Sequence, residues 1–349
     1  MMQPTPPLQS WPQSQGPRKR KGPRKWVLLA AAAFIVVTAI TMTVALHVLG
    51  RSADSSAPPS AGSSEIVSLD DEGPAGIITA DATCASWGPV AKAVSDVEKN
   101  GWNTLDHTIP ASAWTPDMEA KYRAVGAALK TAARQTNPLT NATTHRVMRD
   151  LYLHFRKFSL AYAAHIPEYT RVDDWLIRAG SGLGDVITAI CHAASFGPAA
   201  ARAPSVPEAK APQPVVPADE KQIPDRILSI PDAQCADWSD TVDAMNADPT
   251  YSAWNRADST IAASSRTLER KAADDAVAPI LSRYADVYEK LAWQSSNSSV
   301  QDFGILAAQY GRAFVNAIPT YTQPDTNLYD VFRKLPAAIV AACKAPYLR

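Results

Sequence analysis

Residues 102–109 read Trp-Asn-Thr-Leu-Asp-His-Thr-Ile, and residues 254–261 read Trp-Asn-Arg-Ala-Asp-Ser-Thr-Ile. Five of these eight positions are identical, and the two stretches lie 152 residues apart. The same offset holds without a gap from Trp102 to Cys191, and 26 of those 90 aligned positions are identical. Self-similarity at a fixed offset indicates a duplicated structural unit. The sequence therefore predicts two copies of one fold.

Two shorter motifs also recur, one at the start of each copy and one between its third and fourth helices. Cys-Ala-Ser-Trp at residues 84–87 recurs as Cys-Ala-Asp-Trp at residues 235–238. Ile-Pro-x-Tyr-Thr occurs at residues 166–170 and again at residues 318–322. These matches extend the repeat over nearly the whole C-terminal part of the chain.

Apolar periodicity predicts four helices in each copy. In the third and fourth helices, apolar residues recur every three or four positions, which places them on one helix face. These residues are Val147, Leu151, Phe155, Phe158, Tyr162, Ile166, Leu176, Ala179, Leu183, Ile187 and Ile190, matched by Phe303, Ala307, Tyr310, Phe314, Ile318, Leu328, Val331, Leu335, Ile339 and Ala342. Helix starts are predicted at Thr115, at Thr170 with Asp173, and at Thr322 with Asp325. No stretch alternates with period two, so strands are not expected.

The four cysteines fit this arrangement. In an antiparallel four-helix bundle, the start of the first helix and the end of the fourth lie at the same end. Cys84 and Cys191 hold those places in the first copy, and Cys235 and Cys343 hold them in the second. Of the three connectivities that four cysteines allow, the sequence favours one disulfide within each copy; four buried free thiols are the alternative. The expected fold class is all-α, an N-terminal transmembrane helix followed by two tandem disulfide-closed four-helix bundles.

A membrane segment is predicted near the N-terminus. Residues 26–49 are uncharged and rich in Ala, Val, Ile and Leu, long enough to cross a bilayer as a helix. Six Lys and Arg residues precede this segment, so the positive-inside rule places the N-terminus in the cytoplasm and the later domains outside. A cleaved signal peptide is the rival interpretation, but its apolar region is normally about 7–15 residues. We expect a single-pass cell-membrane protein.

Composition divides the remainder of the chain. Residues 1–25 predict a disordered, basic cytoplasmic tail, and the Ser-, Ala- and Pro-rich residues 50–78 predict a flexible stalk. The Pro- and Ala-rich residues 197–230 predict an extended linker that blocks helix and sheet. The two helical repeat domains are then residues 79–196 and residues 231–349.

Charge and histidine placement exclude several function classes. Residues 51–349 carry a net charge of −6, whereas nucleic-acid binding needs clustered Lys and Arg. No histidine is shared between the copies, which excludes a common metal ligand or general base. The sequence contains no catalytic, metal-binding or cofactor-binding motif that we recognise, and we expect no cofactor.

The loop that begins with the repeated Trp-Asn pair is the candidate ligand surface. Asn, Asp and Thr in such a loop are usually turn and cap residues, and the tryptophans are expected to cover one end of the core. A shared binding role is the alternative. Its residues are Trp102, Asn103, Asp106, Trp254, Asn255 and Asp258.

The basic tail, the single span, Cys-x-x-Trp, Trp-Asn-x-x-Asp, Ile-Pro-x-Tyr-Thr and the final Cys resemble a group of uncharacterised mycobacterial proteins that are membrane-anchored or exported. The resemblance covers both copies. It implies an actinobacterial envelope setting, and it brings no assigned activity with it.

Duplication of a scaffold without any reactive group predicts a non-enzymatic envelope module. Its partners would be the lipid bilayer, through residues 26–49, and an envelope protein, lipid or wall component. Two alternatives stay open. One is an enzyme with a site in the first copy only, near Asp106 or His154, and the other is a carrier that holds a hydrophobic ligand between its helices.

Overall fold

Ten α-helices and no strand occur in the part of the chain that the computed structural model describes, which is residue 68, residues 71–211 and residues 233–346. The first repeat contains α1 (Cys84–Lys99), α2 (Pro116–Ala142), α3 (Arg146–His165) and α4 (Asp174–Ser195), and the short α5 (Pro198–Arg202) follows it. The second repeat contains α6 (Cys235–Ala247), α7 (Pro249–Asn255), α8 (Leu268–Gln294), α9 (Ser298–Ala317) and α10 (Thr326–Lys344). Successive long helices pack on one another, as an antiparallel bundle requires.

The first helix of the second repeat is broken in two. Pro249 has no backbone N–H to continue the helix, and α7 begins there instead. The side chain of Asp248 accepts hydrogen bonds from the backbone N–H groups of Thr250 (2.9 Å) and Tyr251 (3.0 Å), which caps the new helix. Trp254 lies in the last turn of α7 and is buried at the end of the bundle.

The predicted helix starts and core faces are confirmed. Thr115 accepts from the Met118 N–H, and Thr170 with Asp173 and Thr322 with Asp325 form complete capping boxes. Every residue in the predicted apolar stripes of α3, α4, α9 and α10 is buried. The cap residues thus mark these helix starts, and the apolar stripes mark the helix faces that are buried in the core.

Two disulfides close the repeats. Cys84 at the start of α1 is bonded to Cys191 in the last turn of α4, and Cys235 at the start of α6 is bonded to Cys343 near the end of α10. This is the pairing that the sequence favours, one bond within each copy. No free cysteine is present among the described residues.

The two repeats pack directly against each other, which differs from the expectation of two bodies held apart by a linker. α4 lies along α10, and Gly182 on α4 approaches Ala338 on α10 so closely that an added Cβ would lie 3.2 Å from the Ala338 Cβ. The described residues between positions 64 and 349 accordingly form one compact unit. The physical reason is that α3 and α9 each bury 15 of their 20 residues, more than one bundle can cover.

The packed region also extends past both predicted domain boundaries. Ala75 and Ile78, placed in the predicted stalk, are buried, and the Ile78 N–H donates to the Tyr310 hydroxyl of the second repeat at 3.2 Å. Within the predicted linker, α5 is helical because Pro198 occupies the first helical position, where a missing N–H costs nothing. Arg202 on α5 then pairs with the buried carboxylate of Asp325.

None of the helices in the described residues has the length and apolar character needed to cross a membrane. The predicted span at residues 26–49 and the predicted tail at residues 1–25 lie outside the described residues, as do most of residues 50–70 and residues 212–232.

Candidate functional site

The Trp-Asn loop of the first repeat closes one end of its bundle. Gly101, with φ of 89°, permits the tight turn from which Trp102 enters the core, where only 7% of its surface is exposed. Its indole lies against the rings of His107 (4.4 Å between centroids) and Tyr122 (6.2 Å). Asn103 is exposed. Trp102 is therefore a lid on the core, as the sequence predicts for the structural role.

Asp106 stabilises its own loop. Its carboxylate accepts hydrogen bonds from the Thr108 N–H (2.9 Å) and hydroxyl (2.6 Å), which lowers its pKa. In the second repeat Asp258 accepts in the same way from Thr260, at 2.8 and 2.7 Å. This shared Asp-x-Thr turn explains why both residues recur in the sequence, because each carboxylate is engaged by its own loop.

Aromatic side chains fill the rest of this end of the first repeat. Trp114 stacks on the fully buried Tyr122, with ring centroids 3.9 Å apart and planes at 19°. The Tyr122 hydroxyl lies 2.9 Å from Nδ1 of His107, and the Tyr169 hydroxyl donates to the His107 carbonyl at 2.8 Å. Burial lowers the pKa of His107 and raises that of Tyr122 to about 12, so both stay neutral near pH 7.

The equivalent end of the second repeat has the same buried tryptophan and the same tyrosine-to-loop hydrogen bond, but different side chains fill the space between them. Trp254 is again buried, and its indole N–H donates to the Asp274 carboxylate at 2.8 Å. The Tyr321 hydroxyl donates to the Ser259 carbonyl at 2.6 Å, the counterpart of the bond from Tyr169 to His107. Asn255 accepts a hydrogen bond from the Tyr329 hydroxyl at 2.6 Å.

An ion pair replaces the aromatic stack in this second repeat. At the constant offset of 152, Trp114 corresponds to Arg266 and Tyr122 to Asp274. Arg266 and Asp274 are both buried, and Nη1 of the arginine lies 2.7 Å from Oδ2 of the aspartate. The guanidinium also stacks over the Tyr321 ring at 4.2 Å.

A cavity of about 470 Å³ opens beside this ion pair, within the usual range for small-ligand sites. Its lining combines aromatic rings with three arginines and one carboxylate. The residues are Trp254, Asn255, Ala257, Ser259, Arg266, Arg270, Phe314, Tyr321, Thr326, Tyr329, Asp330 and Arg333. We refer to this space as the arginine cavity.

Only two of the six predicted ligand-surface residues line the arginine cavity, Trp254 and Asn255. Asp258 and the three residues of the first repeat do not. The residues that the repeats share did not predict the three arginines, because Arg266, Arg270 and Arg333 stand where the first repeat has Trp, Met and Ser. The signal that could have revealed them was the difference between the copies.

The histidine considered for an enzyme in the first repeat lies away from this end. His154 is 1% exposed, its ring contacts Phe303 of the other repeat, and Nδ1 lies 2.6 Å from the Asp150 carbonyl. Burial lowers its pKa to about 4. Asp106 sits in the exposed loop described above, so the two residues do not share a site. Across residues 71–211 and 233–346, no cluster of His, Cys, Asp or Glu could hold a metal ion.

The space enclosed by apolar side chains between the repeats is small. It measures about 20 Å³ and is lined by residues such as Phe158, Leu183, Phe303 and Ile339. A space of that size is close to the minimum for one water molecule. It has no room for a lipid chain, so this apolar space gives the hydrophobic-carrier alternative no support.

Comparison with known proteins places the chain in a family. The family model described as mycobacterial ESX-1 associated protein matches residues 66–347. An uncharacterised protein of Mycolicibacterium smegmatis (strain MKD8) is 37% identical over 345 residues, which cover 97% of this chain and 90% of that relative. No solved structure matches the chain. The chain belongs to the family of mycobacterial ESX-1 associated proteins.

Proposed function

We propose that this protein is a non-catalytic binding module of the mycobacterial envelope that serves ESX-1 secretion. Residues 26–49 anchor it in the membrane, and the paired repeats stand on the outer side, where disulfides persist. The arginine cavity of the second repeat holds the ligand or partner through which the module acts.

One observation carries this proposal. Two copies of the same helical end lie in one molecule. The Trp114–Tyr122 stack occupies in the first copy the positions that the Arg266–Asp274 ion pair holds in the second, where a cavity of about 470 Å³ opens beside the pair. A buried ion pair is seldom more stable than apolar residues of similar volume. The pair also has structural contacts, since Arg266 donates to the Ile261 carbonyl and Asp274 accepts from the Trp254 indole. The positive charge that it brings to the wall of the cavity supports a binding role for this end.

The family supports the secretion setting. The family name associates its members with ESX-1, and the match covers both repeats and the segment between them. The disulfides, one in each repeat, suit an extracytoplasmic location because thiols in the cytoplasm are kept reduced.

Deletion and complementation test the function. A mycobacterial strain that lacks the gene is expected to release less ESX-1 cargo into the culture medium, and the full-length chain is expected to restore release. A chain carrying Arg266→Trp and Asp274→Tyr, the pair that the first repeat uses, should be displayed normally and fail to restore it. Unchanged cargo release in the deletion strain would refute the secretion role.

The topology is tested separately. Extracellular protease added to intact, wall-stripped cells should degrade the repeats while a tag fused before residue 1 stays protected. Protection of the repeats would place them in the cytoplasm and overturn the proposed location.

A further inference from the structure

The side chains in and behind the wall of the arginine cavity carry more positive than negative charges. Arg333 is matched by Asp330, whose Oδ1 accepts from Nε at 2.9 Å and from Nη2 at 2.7 Å. Arg266 and Arg270, in contrast, share the single carboxylate of Asp274. Two guanidinium groups facing one carboxylate leave one positive charge without a counter-charge in direct contact.

Arg270 is the less completely paired of the two arginines, although its Nη1 donates to the Trp254 carbonyl at 3.2 Å. Oδ2 of Asp274 is taken by Arg266 at 2.7 Å, and Oδ1 accepts from the Trp254 indole at 2.8 Å. Nε of Arg270 lies 3.3 Å from Oδ1, and this buried nitrogen makes no hydrogen bond among the described residues. Burial and then the charge of Arg266 lower the pKa of Arg270. An anion in the cavity would offset the positive charge that Asp274 leaves unmatched.

The remaining carboxylates do not fill that place. Asp258 is fully exposed and is held by its own Thr260, and Asp330 is held by Arg333. The Tyr329 hydroxyl is engaged with Tyr251 at 2.7 Å and Asn255 at 2.6 Å, and burial raises the pKa of Tyr329, so this wall of the cavity carries no negative charge. An incoming anion would meet aromatic faces and guanidinium edges.

The three arginines are specific to the second repeat. Their counterparts in the first repeat are Trp114, Met118 and Ser181, and that repeat closes the same end without a cation at any of the three positions. Arg266 takes over the structural contact of Trp114, because its Nε donates to the Ile261 carbonyl as the Trp114 indole donates to the Ile109 carbonyl. Asp274 offsets one of the two charges, and the charge of Arg270 is additional.

We propose that the arginine cavity binds a ligand with one anionic group, a carboxylate or a phosphate, seated on Arg270 and Arg266, with the ligand's apolar or ring portion against Trp254, Phe314 and Tyr321. Guanidinium groups bind such planar or tetrahedral oxyanions with paired hydrogen bonds. The volume of the cavity suits a small molecule or a lipid headgroup, not a folded partner. This inference rests on the proposed binding function and names its ligand chemistry.

Calorimetric titration of the full-length chain in mild detergent tests the site. The probes are phenyl phosphate and benzoate, with uncharged benzamide as the matched control, and short-chain phosphatidylglycerol represents a lipid source. We expect saturable binding of at least one anionic probe and none of benzamide. Binding of the two soluble acids would indicate a free metabolite, and binding of phosphatidylglycerol alone would indicate a headgroup; either result supports the anion site.

Two variants locate the binding. Arg270→Met, which installs the residue of the first repeat, should weaken binding tenfold or more, about 1.4 kcal/mol, while unfolding at the wild-type temperature. Arg283→Met, on the same helix but outside the cavity, should leave affinity unchanged. Equal affinity of the wild type and Arg270→Met, or no saturation by any anion at about 10 mM, overturns the proposal.

The experiments distinguish a failure of the anion-binding proposal from a failure of the proposed secretion function. If anions bind through Arg270 but cargo release does not depend on the gene, the ligand site is supported and the secretion role is refuted. If the gene is needed for release but no anion binds, the function stands and its ligand has another chemistry.

Discussion

The guanidinium of Arg146 in the first repeat lies against the carboxylate of Asp302 in the second, with Nε donating to one oxygen at 2.9 Å and Nη2 to the other at 3.0 Å. Both side chains are buried, at 8% and 3% exposure. Arg146 also donates to the carbonyls of Asp71 and Gly73. One side chain thus ties together both repeats and the segment that precedes the first helix.

Arg146→Met should destabilise the protein by about 3–5 kcal/mol, because it leaves Asp302 buried without a cation. Urea unfolding of the full-length chain measures the effect. The control is Arg123→Met, which breaks an exposed pair with Glu119 and should cost no more than about 0.5 kcal/mol. Equal costs for the two variants would show that the pair between the repeats does not hold them together.

His154 should make stability fall in weak acid. Its pKa is about 4 in the folded protein against 6.5 for an ordinary histidine, because burial and then Lys157 disfavour the charged form. Between pH 6.5 and 4 the unfolded chain therefore binds a proton that the folded chain does not. Stability is full above pH 6.5 and declines by up to about 3 kcal/mol towards pH 4.

His154→Leu isolates that contribution, since Leu306 is the buried counterpart in the second repeat. Burial raises the pKa values of Asp150 and Asp302, which acts in the opposite direction at low pH, so the two proteins are compared at each pH. The stability difference between variant and wild type should grow in favour of the variant as the pH drops. A constant difference across this range would contradict the neutral, buried state of His154.

Removing the first disulfide should cost about 2–5 kcal/mol. The Cys84–Cys191 bond closes a loop with a sequence separation of 107 residues, and the chain-entropy model gives about 4.7 kcal/mol for a loop near 100 residues. A variant with both cysteines changed to Ser is unfolded in urea beside the wild type. The corresponding change at Cys235 and Cys343, with a separation of 108, should have a similar effect. Wild-type stability without either bond would mean that the packing alone closes each repeat.

Gly304 allows α9 to approach its neighbours. A Cβ at this position would lie 2.7 Å from the Ala292 Cβ and 2.9 Å from the Trp238 ring. Gly304→Ala should therefore destabilise by about 1–3 kcal/mol despite the better helix propensity of Ala. Gly182→Ala shares the propensity gain, and its nearest contact is 3.2 Å, so it should stay within about 1 kcal/mol of wild type. Thermal unfolding that ranks Gly182→Ala as the more damaging change would refute the crowding argument.

Much of the architecture could be predicted because it depends on local rules. Thr115, Thr170 and Thr322 mark helix starts through short-range hydrogen bonds, and the apolar stripes of the long helices repeat at the helical period. The disulfides followed from topology, since the bundle brings the first and last helix ends together. Each of these inferences needed only neighbours in sequence or the repeat itself.

The contact between the repeats could not be predicted in the same way. Arg146 and Asp302 are 156 residues apart, and the counterpart of Arg146 in the second repeat is Ser298, so the repeat alignment gives no hint that they pair. The Pro-rich residues 197–230 predicted two repeats held apart by a linker. The composition of a linker, however, does not determine how well the two domains that it joins pack against each other. The apolar content of α9 on more than one face was the signal available.

The arginine cavity escaped prediction for a related reason. Residues shared by both copies, such as Asp106 and Asp258, proved to be turn residues, because what a duplicated fold keeps in common is mostly what the fold needs. Arg266 replaces an aromatic residue, and its effect depends on Asp274 taking the place of its stacking partner. Only the three-dimensional structure shows that these two changes occur side by side.

The way α4 meets α10 has an evolutionary consequence. These helices are counterparts, and so are α3 and α9, whose contacts with each other are nearly reciprocal. Asp150 on α3 accepts from Ser299, while Asp302, its counterpart on α9, accepts from Arg146. Such reciprocity characterises the self-complementary interface of a two-fold symmetric dimer. This arrangement is the one expected from a single-repeat chain that paired with itself and was later duplicated within one gene. Once the two halves share a chain, each can change without the other, and the Trp114–Tyr122 stack and the Arg266–Asp274 ion pair at corresponding positions are such a difference.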